Sequence, residues 1–252
     1  MNPAYPDHPA NLRPSAQALT GGKVLTVFSV ASLEVALKRA TDCFEQTSDW
    51  QVALSFNTAP ELWAKAQDAC RADVWIAPAL VLEQAAEWGL VGMHRPLAQV
   101  GVGVAVAQGQ VAPDISTVAA WQGAVRRAPA VFYTQASSGH YIHGLLSSMG
   151  MLGEVQSKVH RFDNGEAMLL ALSQVGTPPG AMAMGAISEI QTFSHRGVVC
   201  VGPLPPAIAH KTIYACAMDL QSPRLEHAQR WLHLCQQAHV WGDVSRTGIE
   251  PL

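Results

Sequence analysis

The sequence alternates between short apolar runs, typical of buried β-strands, and longer segments in which apolar residues recur at helical spacing. Alternation of this kind predicts a parallel sheet covered by helices, and it restricts the chain to the α/β fold class. The predicted strand–helix pairs are 24–28 with 33–45, 52–56 with 60–69, 73–77 with 80–89, 130–133 with 141–149, and 158–162 with a helix through 168–172.

Two of the predicted strand-to-helix junctions carry hydroxyl side chains. The first reads FSVASL and contains Ser29 and Ser32, and the second reads TQASSGHY and contains Ser137 and Ser138. Free N–H groups and the positive end of the dipole make a helix start an anion-binding position. Gly139 lets a ligand approach the backbone closely. The two junctions therefore predict one anion held between two lobes.

The predicted architecture is two Rossmann-like α/β lobes with a ligand cleft between them, joined by two crossing strands. Residues 99–107 alternate Gly and Val without a helical period and predict the first crossing, and the second is predicted near 201–214. Ligands of open α/β sheets bind beyond the carboxyl ends of the strands, where both serine junctions are expected. The predicted divisions are a flexible N-terminal arm at 1–22, lobe 1 at 23–98 and 205–252, and lobe 2 at 99–204.

Composition excludes several classes of partner and cofactor. The net charge of -3, with 16 Lys and Arg residues and no basic run, predicts no nucleic-acid partner. The five cysteines form no CxxC pair and no zinc-type spacing, so we expect free thiols and no metal site. The sequence has no P-loop, no GxGxxG after a strand and no HExxH motif, so we expect no cofactor.

The sequence also sets expectations for location. No segment approaches the roughly 18 consecutive apolar residues of a membrane span, so none is expected. Residues 1–20 hold prolines and polar side chains and lack the apolar run of a secretory signal. A cytoplasmic location is the expectation, and the oligomeric state is left open.

Several segments together resemble the molybdate-type solute-binding proteins, which have the type II periplasmic binding protein fold. The resemblance spans residues 23–252. Segments similar to the first lobe of that family are FSVASL at 28–33, LSFNTAPEL at 54–62 and ADVWIAP at 72–78. Segments similar to an atypical branch that includes aconitate isomerases are SSGHYIHGLLSSMGM at 137–151, AISEI at 186–190, VGPLPPAI at 201–208 and GIEP at 248–251.

The resemblance implies specific ligand contacts. The family's first oxyanion-binding serine falls on Ser32, and its second hydroxyl falls on Thr58 with Asn57 beside it. Both hydroxyl residues are also ordinary helix caps. Molybdate binders close a second-lobe tyrosine over the anion near 181–186, where this chain reads AMAMGA without a hydroxyl. The SSGHY turn instead resembles the branch's clasp for carboxylate ligands.

Four further residues are candidates with two interpretations each. His140 is predicted near a helix start, where the helix dipole favours the neutral form of its imidazole. It is either a general base or a solvent-exposed side chain. Glu189 is an alternative carboxylate base or a helix cap. Tyr141 donates to a ligand carboxylate or packs, and Tyr214, in the second crossing, lines the cleft or fills the core.

Two functions are expected from these observations. The first is a cofactor-independent isomerase that moves the C=C bond of an unsaturated di- or tricarboxylate such as aconitate, with His140 or Glu189 as the base. The alternative is the substrate-binding component of an ABC transporter for molybdate or an organic anion. A third interpretation is a cytoplasmic anion sensor. The lack of a signal-type run and of the second-lobe tyrosine favours the isomerase.

Overall fold

A mixed β-sheet organises the structure, a computed structural model that describes residues 22–68 and 70–252. The strands of the described residues are β1 Val24–Val30, β2 Gln51–Asn57, β3 Val74–Pro78, β4 Arg95–Ala107, β5 Val131–Thr134, β6 Val159–Phe162, β7 Met182–Ala186, β8 Val198–Pro203, β9 Lys211–Met218 and β10 Ile249–Pro251. The helices are α1 Glu34–Thr47, α2 Ala59–Gln67, α3 Ala79–Glu87, α4 Val118–Arg127, α5 Ser137–Ser148, α6 Leu152–Val155, α7 Gly165–Ser173, α8 Ile187–Thr192, α9 Leu225–Cys235, α10 Ala238–Trp241 and α11 Val244–Thr247.

The strand β4 runs through both halves of this sheet. The strand order is β2-β1-β3-β9-β4-β7-β5-β6, and β8 and β10 also pair with β4. Residues 95–101 of β4 pair with β9 and β10, whereas residues 102–107 of β4 pair with β7 and β8. A Cβ at Gly103 would lie 2.6 Å from the side chain of Ile187, so the glycine lets α8 pack directly on the strand. The Gly-Val segment is thus the long crossing strand that its pattern predicts.

The hydrophobic core is divided on either side of this crossing. One cluster packs α1–α3, α9 and α10 against the first half of the sheet, with Leu37 and Trp231 fully buried. In the second half, one cluster around Trp121 and Leu146 and another around Met168 cover the two faces. Helices on both faces of parallel strands confirm the predicted α/β class.

The predicted lobe limits stay a prediction, because β4 and the sheet are continuous through both halves. Apart from Gly22, the predicted N-terminal arm lies outside the described residues.

Several short elements and helix starts differ from the sequence prediction. The sequence at 115–120 predicts a further short helix, and the helix observed there is α4, which begins later because Thr117 caps it by accepting a hydrogen bond from the amide of Ala120 at 3.1 Å. The short elements α8 and β10 were not predicted, because three to six residues do not show a period. No helix in the described ranges has the length and apolar character that a membrane crossing needs.

The helix α5 packs against the end of β5 through Gly139. A Cβ at this position would lie 1.8 Å from the carbonyl oxygen of Thr134. The close approach that the structure shows is between helix and strand, and the expected approach of a ligand to this glycine stays a prediction. The helix–strand contact fixes the start of α5 relative to the sheet.

The pair of variants Gly139→Ala and Gly144→Ala tests this packing. The first is expected to destabilise the protein by at least about 1–3 kcal/mol, because the added methyl group collides with the backbone of β5. Gly144 lies exposed in the same helix, and a methyl group added there would have no other atom within 4 Å, so alanine is expected to stabilise by up to about 1 kcal/mol. Urea unfolding measures both free energies. Equal effects of the two substitutions would contradict the packing account.

Candidate functional site

A cleft of about 330 Å³ lies between the two halves of the sheet, at the carboxyl ends of the parallel strands. It is lined by the junctions that follow β1, β2, β5 and β6, together with α8 and β9. The sequence-predicted residues that line it are Ser32, Asn57, Thr58, Ser137, Ser138, Glu189 and Tyr214. The two serine junctions, far apart in the chain, therefore share one cavity.

The start of α5 presents free hydrogen-bond donors to this cleft. Its N-cap is Ala136, which has no capping side chain, so the first-turn N–H groups have no cap. Ser137 and Ser138 line the cleft, and within the described residues neither hydroxyl has a hydrogen-bond partner. Backbone amides, hydroxyls and the positive end of the helix dipole make this junction suited to an anionic group.

The start of α2 differs, because a carboxylate of the same helix already occupies it. The amide of Thr58 donates to Glu61 at 2.6 Å, and the hydroxyl of Thr58 donates to the same oxygen at 3.0 Å. This capping box fulfils the helix-cap interpretation of Thr58. Asn57 likewise uses its amide group locally, donating to the carbonyl oxygen of Ser55 at 2.8 Å.

Three residues from different elements form a hydrogen-bonded chain across the cleft. The hydroxyl of Ser32 donates to Oε1 of Glu189 at 2.6 Å, and the hydroxyl of Tyr214 donates to the oxygen of Ser32 at 3.2 Å. Ser32 follows β1, Glu189 lies on α8 and Tyr214 lies on β9. The Ser32–Glu189 contact thus joins the first half of the molecule to the second. Ser32 and Tyr214 are buried, and Glu189 is partly exposed and lines the cleft.

Burial shifts the protonation equilibria of this chain. Loss of water around the carboxyl raises the pKa of Glu189, and the nearby charge of Glu34 raises it further, while the hydrogen bond from Ser32 opposes both effects. Burial also raises the pKa of Tyr214, which keeps its phenol protonated as a donor. A carboxyl whose pKa is raised and that faces a cleft is a candidate for proton exchange with a bound ligand.

The charged side chains around the cleft are mostly acidic and already have partners. Glu166 pairs with Arg196 at 3.5 Å, Glu34 pairs with Lys38, and Glu61 is held in the α2 cap. Arg196 is the one lysine or arginine among the described residues that line the cleft. Attraction for an anion must therefore come chiefly from amides, hydroxyls and helix starts.

Comparison with known proteins assigns the family. A profile described as bacterial extracellular solute-binding protein matches residues 25–239. The chain belongs to this family. No curated protein matches it by sequence.

Solved structures of solute-binding proteins share the fold at low sequence identity. The periplasmic molybdate-binding protein of Azotobacter vinelandii is 12% identical with a TM-score of 0.70, over 89% of this chain and 98% of that one. A periplasmic thiamin-binding protein is 12% identical with a TM-score of 0.70, over 90% and 83%. The tungstate-binding protein of Desulfovibrio alaskensis G20 is 9% identical with a TM-score of 0.61, over 91% and 98%. These similarities confirm the predicted periplasmic binding protein-like fold, while the link to aconitate isomerase stays a prediction.

Besides Gly139, three predicted site residues lie outside the cleft of this solute-binding protein. Ser29 is fully buried and donates its hydroxyl to the carbonyl oxygen of Val30 at 3.2 Å. His140 is exposed, with Nδ1 at 3.1 Å from the carbonyl oxygen of Ala136.

Tyr141 donates to the carbonyl oxygen of Ile208 at 2.8 Å, and its ring stacks on His210. Ser137 and Ser138, at the very start of α5, line the cleft, whereas His140 and Tyr141, further along the helix, do not. His140 therefore has no geometric support as a base.

Sequence reasoning missed other lining residues. Asn164 caps α7 by accepting from the amide of Ala167 at 2.8 Å, and Gly165 follows it. The segment FDNGE repeats the strand–cap–helix pattern of the two serine junctions, so the same rule would have found it. His195 and Arg196 come from a short turn at Ser194–Arg196, for which the sequence has no comparable signal.

Metal ligation has no basis in the part of the chain that the structure describes. No three His, Cys, Asp or Glu side chains there are grouped so that they could hold an ion.

Substitution of Glu189 by Gln tests the raised pKa. A folded-state pKa above the ordinary value of 4.5 stabilises the wild type below that pH and destabilises it as the pH rises through the folded-state value. The melting temperature of Glu189→Gln minus that of the wild type is therefore expected to increase as the pH is raised from 4.5. Thermal unfolding at a series of pH values measures this difference. A difference that stays constant or falls with pH would show that burial does not raise the pKa of Glu189.

Proposed function

We propose that this solute-binding protein holds a small organic anion in the cleft, with the anionic group at the start of α5. The observation that carries the proposal is the uncapped first turn of α5, where Ser137 and Ser138 face the cleft with free hydroxyls. Backbone amides and the helix dipole favour a negative group there without a lysine or arginine.

The dimensions and walls of the cleft favour an organic anion over a metal oxyanion. Its volume of about 330 Å³ is roughly ten times the 30 Å³ that one water occupies in the liquid. Phe56 and Phe193 supply apolar walls that suit a carbon skeleton. β7, where a closing tyrosine would be expected, consists of buried residues without a hydroxyl. Molybdate and tungstate, the ligands named for two of the similar structures, are the alternative ligands.

The family supports a role in uptake. A solute-binding protein would present the bound anion to the membrane subunits of an ABC transporter. Closure of the two halves around the ligand would signal to the membrane subunits that a ligand is bound. The Ser32–Glu189 contact joins the two halves, so closure would change its geometry.

A second candidate, the isomerase, is favoured by Glu189. The Glu189 carboxylate would take an allylic proton from a bound unsaturated acid, the C=C bond would shift, and the same proton would return at the other end of the allylic system. Its raised pKa makes its carboxylate a stronger base than an ordinary glutamate carboxylate. The expected cytoplasmic location belongs to this candidate.

Calorimetric titration tests the binding proposal. Carboxylates of three to six carbons and molybdate are titrated into the wild type, and at least one carboxylate is expected to bind more tightly than molybdate. Replacing both Ser137 and Ser138 by Ala is expected to weaken that carboxylate about tenfold or more, because hydrogen bonds to a charged group are lost.

The control for this titration is Ser147→Ala. Ser147 is exposed in the same helix, ten positions from Ser137 and so about 15 Å away. The affinity of Ser147→Ala for the same carboxylate is expected to match that of the wild type. Equal weakening in both variants, or no binding of any anion by the folded protein, would rule out the α5 site.

Proton NMR in deuterated water separates binding from catalysis. If the protein only binds cis- or trans-aconitate, the allylic proton signals of the ligand are expected to keep the intensity that they have in the absence of protein. Conversion of one aconitate isomer into the other by the wild type, with or without deuterium incorporation, that disappears in Glu189→Gln would establish the isomerase instead.

A further inference from the structure

We propose that Glu189 selects anions that also carry a hydrogen-bond donor, so that the preferred ligand is a hydroxycarboxylate or an aminocarboxylate. This inference rests on the proposed function, because it assigns a second contact within the same cleft.

The argument begins with the hydrogens of the Tyr214–Ser32–Glu189 chain. A serine hydroxyl has one hydrogen, and an ionised carboxylate only accepts. With Oε1 of Glu189 at 2.6 Å, the hydrogen of Ser32 points to Glu189, and at 3.2 Å the oxygen of Ser32 takes the hydrogen of Tyr214. Ser32 therefore has no hydrogen left for a ligand. This end of the cleft therefore presents hydrogen-bond acceptors, whereas the resemblance implies that Ser32 donates a hydrogen bond to an oxyanion.

The carboxyl of Glu189 is held at one oxygen and accommodated at the other. Its Oε1 accepts the hydrogen bond from Ser32. Its Oε2 lies only 1.6 Å from the place where a Cβ of Gly165 would be, so the first residue of α7 leaves room for it by having no side chain. A carboxyl held in this way and still lining the cavity can discriminate between ligands that differ by one polar group.

Among the residues that the structure describes, no lysine or arginine contacts Glu189. The groups that face it are Ser32, Glu34 of α1, Tyr214 of β9 and Gly165 of α7. The cleft's arginine is already paired with Glu166, so within the described residues no free lysine or arginine lines the cavity. An anion that lacks a donor would bring its oxygens against these acceptors and leave the carboxylate unpaired, which costs affinity.

The two ends of the cleft are thus complementary to two different groups. The donor-rich start of α5 suits a carboxylate, and the acceptor end at Glu189 suits an O–H or an N–H group of the same molecule. Molybdate at neutral pH has four acceptor oxygens and no proton to donate, so it matches one end only.

Matched ligands test the inference by calorimetry at neutral and at mildly alkaline pH, because the inference concerns the ionised form of Glu189. Each of the pairs lactate and propionate, malate and succinate, and citrate and tricarballylate differs only by a hydroxyl group. Alanine and aspartate add the ammonium counterparts of the first two pairs. In every series that binds, the member with the donor is expected to bind at least about tenfold tighter, since a hydrogen bond to a charged group is gained.

Two variants assign the preference to Glu189. Glu189→Gln has a carboxamide that both donates and accepts, so the ratio within each pair is expected to fall to about threefold or less. Glu166→Gln also removes a carboxylate from the cleft, but one that pairs with Arg196 and not with Ser32, so the ratio is expected to stay as in the wild type.

The outcomes separate this inference from the proposed function. If anions bind but the members of each pair bind equally, the inference is overturned and the proposed function stands. A preference that survives in Glu189→Gln also overturns it, because another residue then selects the ligand. If no acid of any series binds to the folded protein, both fail together.

Discussion

The cleft depends on one continuous strand. Because β4 pairs with β9 and β10 along one part and with β7 and β8 along the other, it holds the two halves of the sheet end to end. The carboxyl ends of β1 and β2 then face those of β5 and β6. Ile187 packs into the space left by Gly103 and Gly248, where Cβ atoms would lie within 2.6 Å and 2.5 Å of its side chain. This packing places α8, and with it Glu189, over the cleft.

The shared fold does not choose the ligand. The similar structures bind molybdate, tungstate or thiamin according to their names, and these differ in charge and shape. The choice must come from the side chains at the strand-to-helix junctions. In this protein one junction, at α5, presents donors, whereas the junction after β1 is turned into an acceptor by its contact with Glu189.

Local sequence patterns predicted much of the fold and part of the site. Apolar runs located most strands, and the hydroxyl junctions put Ser32, Ser137 and Ser138 where the structure has them in one cleft. The partner of Ser32 could not be predicted, because Glu189 lies 157 positions away and meets it only through tertiary packing. The expectation that Ser32 donates to the ligand depended on that missing partner.

The direction of a helical side chain is a second limit on such predictions. The SSGHY segment correctly predicted a helix start, but which of its residues face the cleft depends on how α5 packs on β5. Gly139 presses against Thr134, and this turns His140 toward solvent.

A crystal structure of the protein with a bound hydroxycarboxylate tests the central claim most directly. The account predicts carboxylate oxygens within about 3 Å of the first amides and hydroxyls of α5, with the ligand hydroxyl donating to Glu189. A carboxylate bound instead at the Ser32 end, or a ligand outside the cleft, would contradict it.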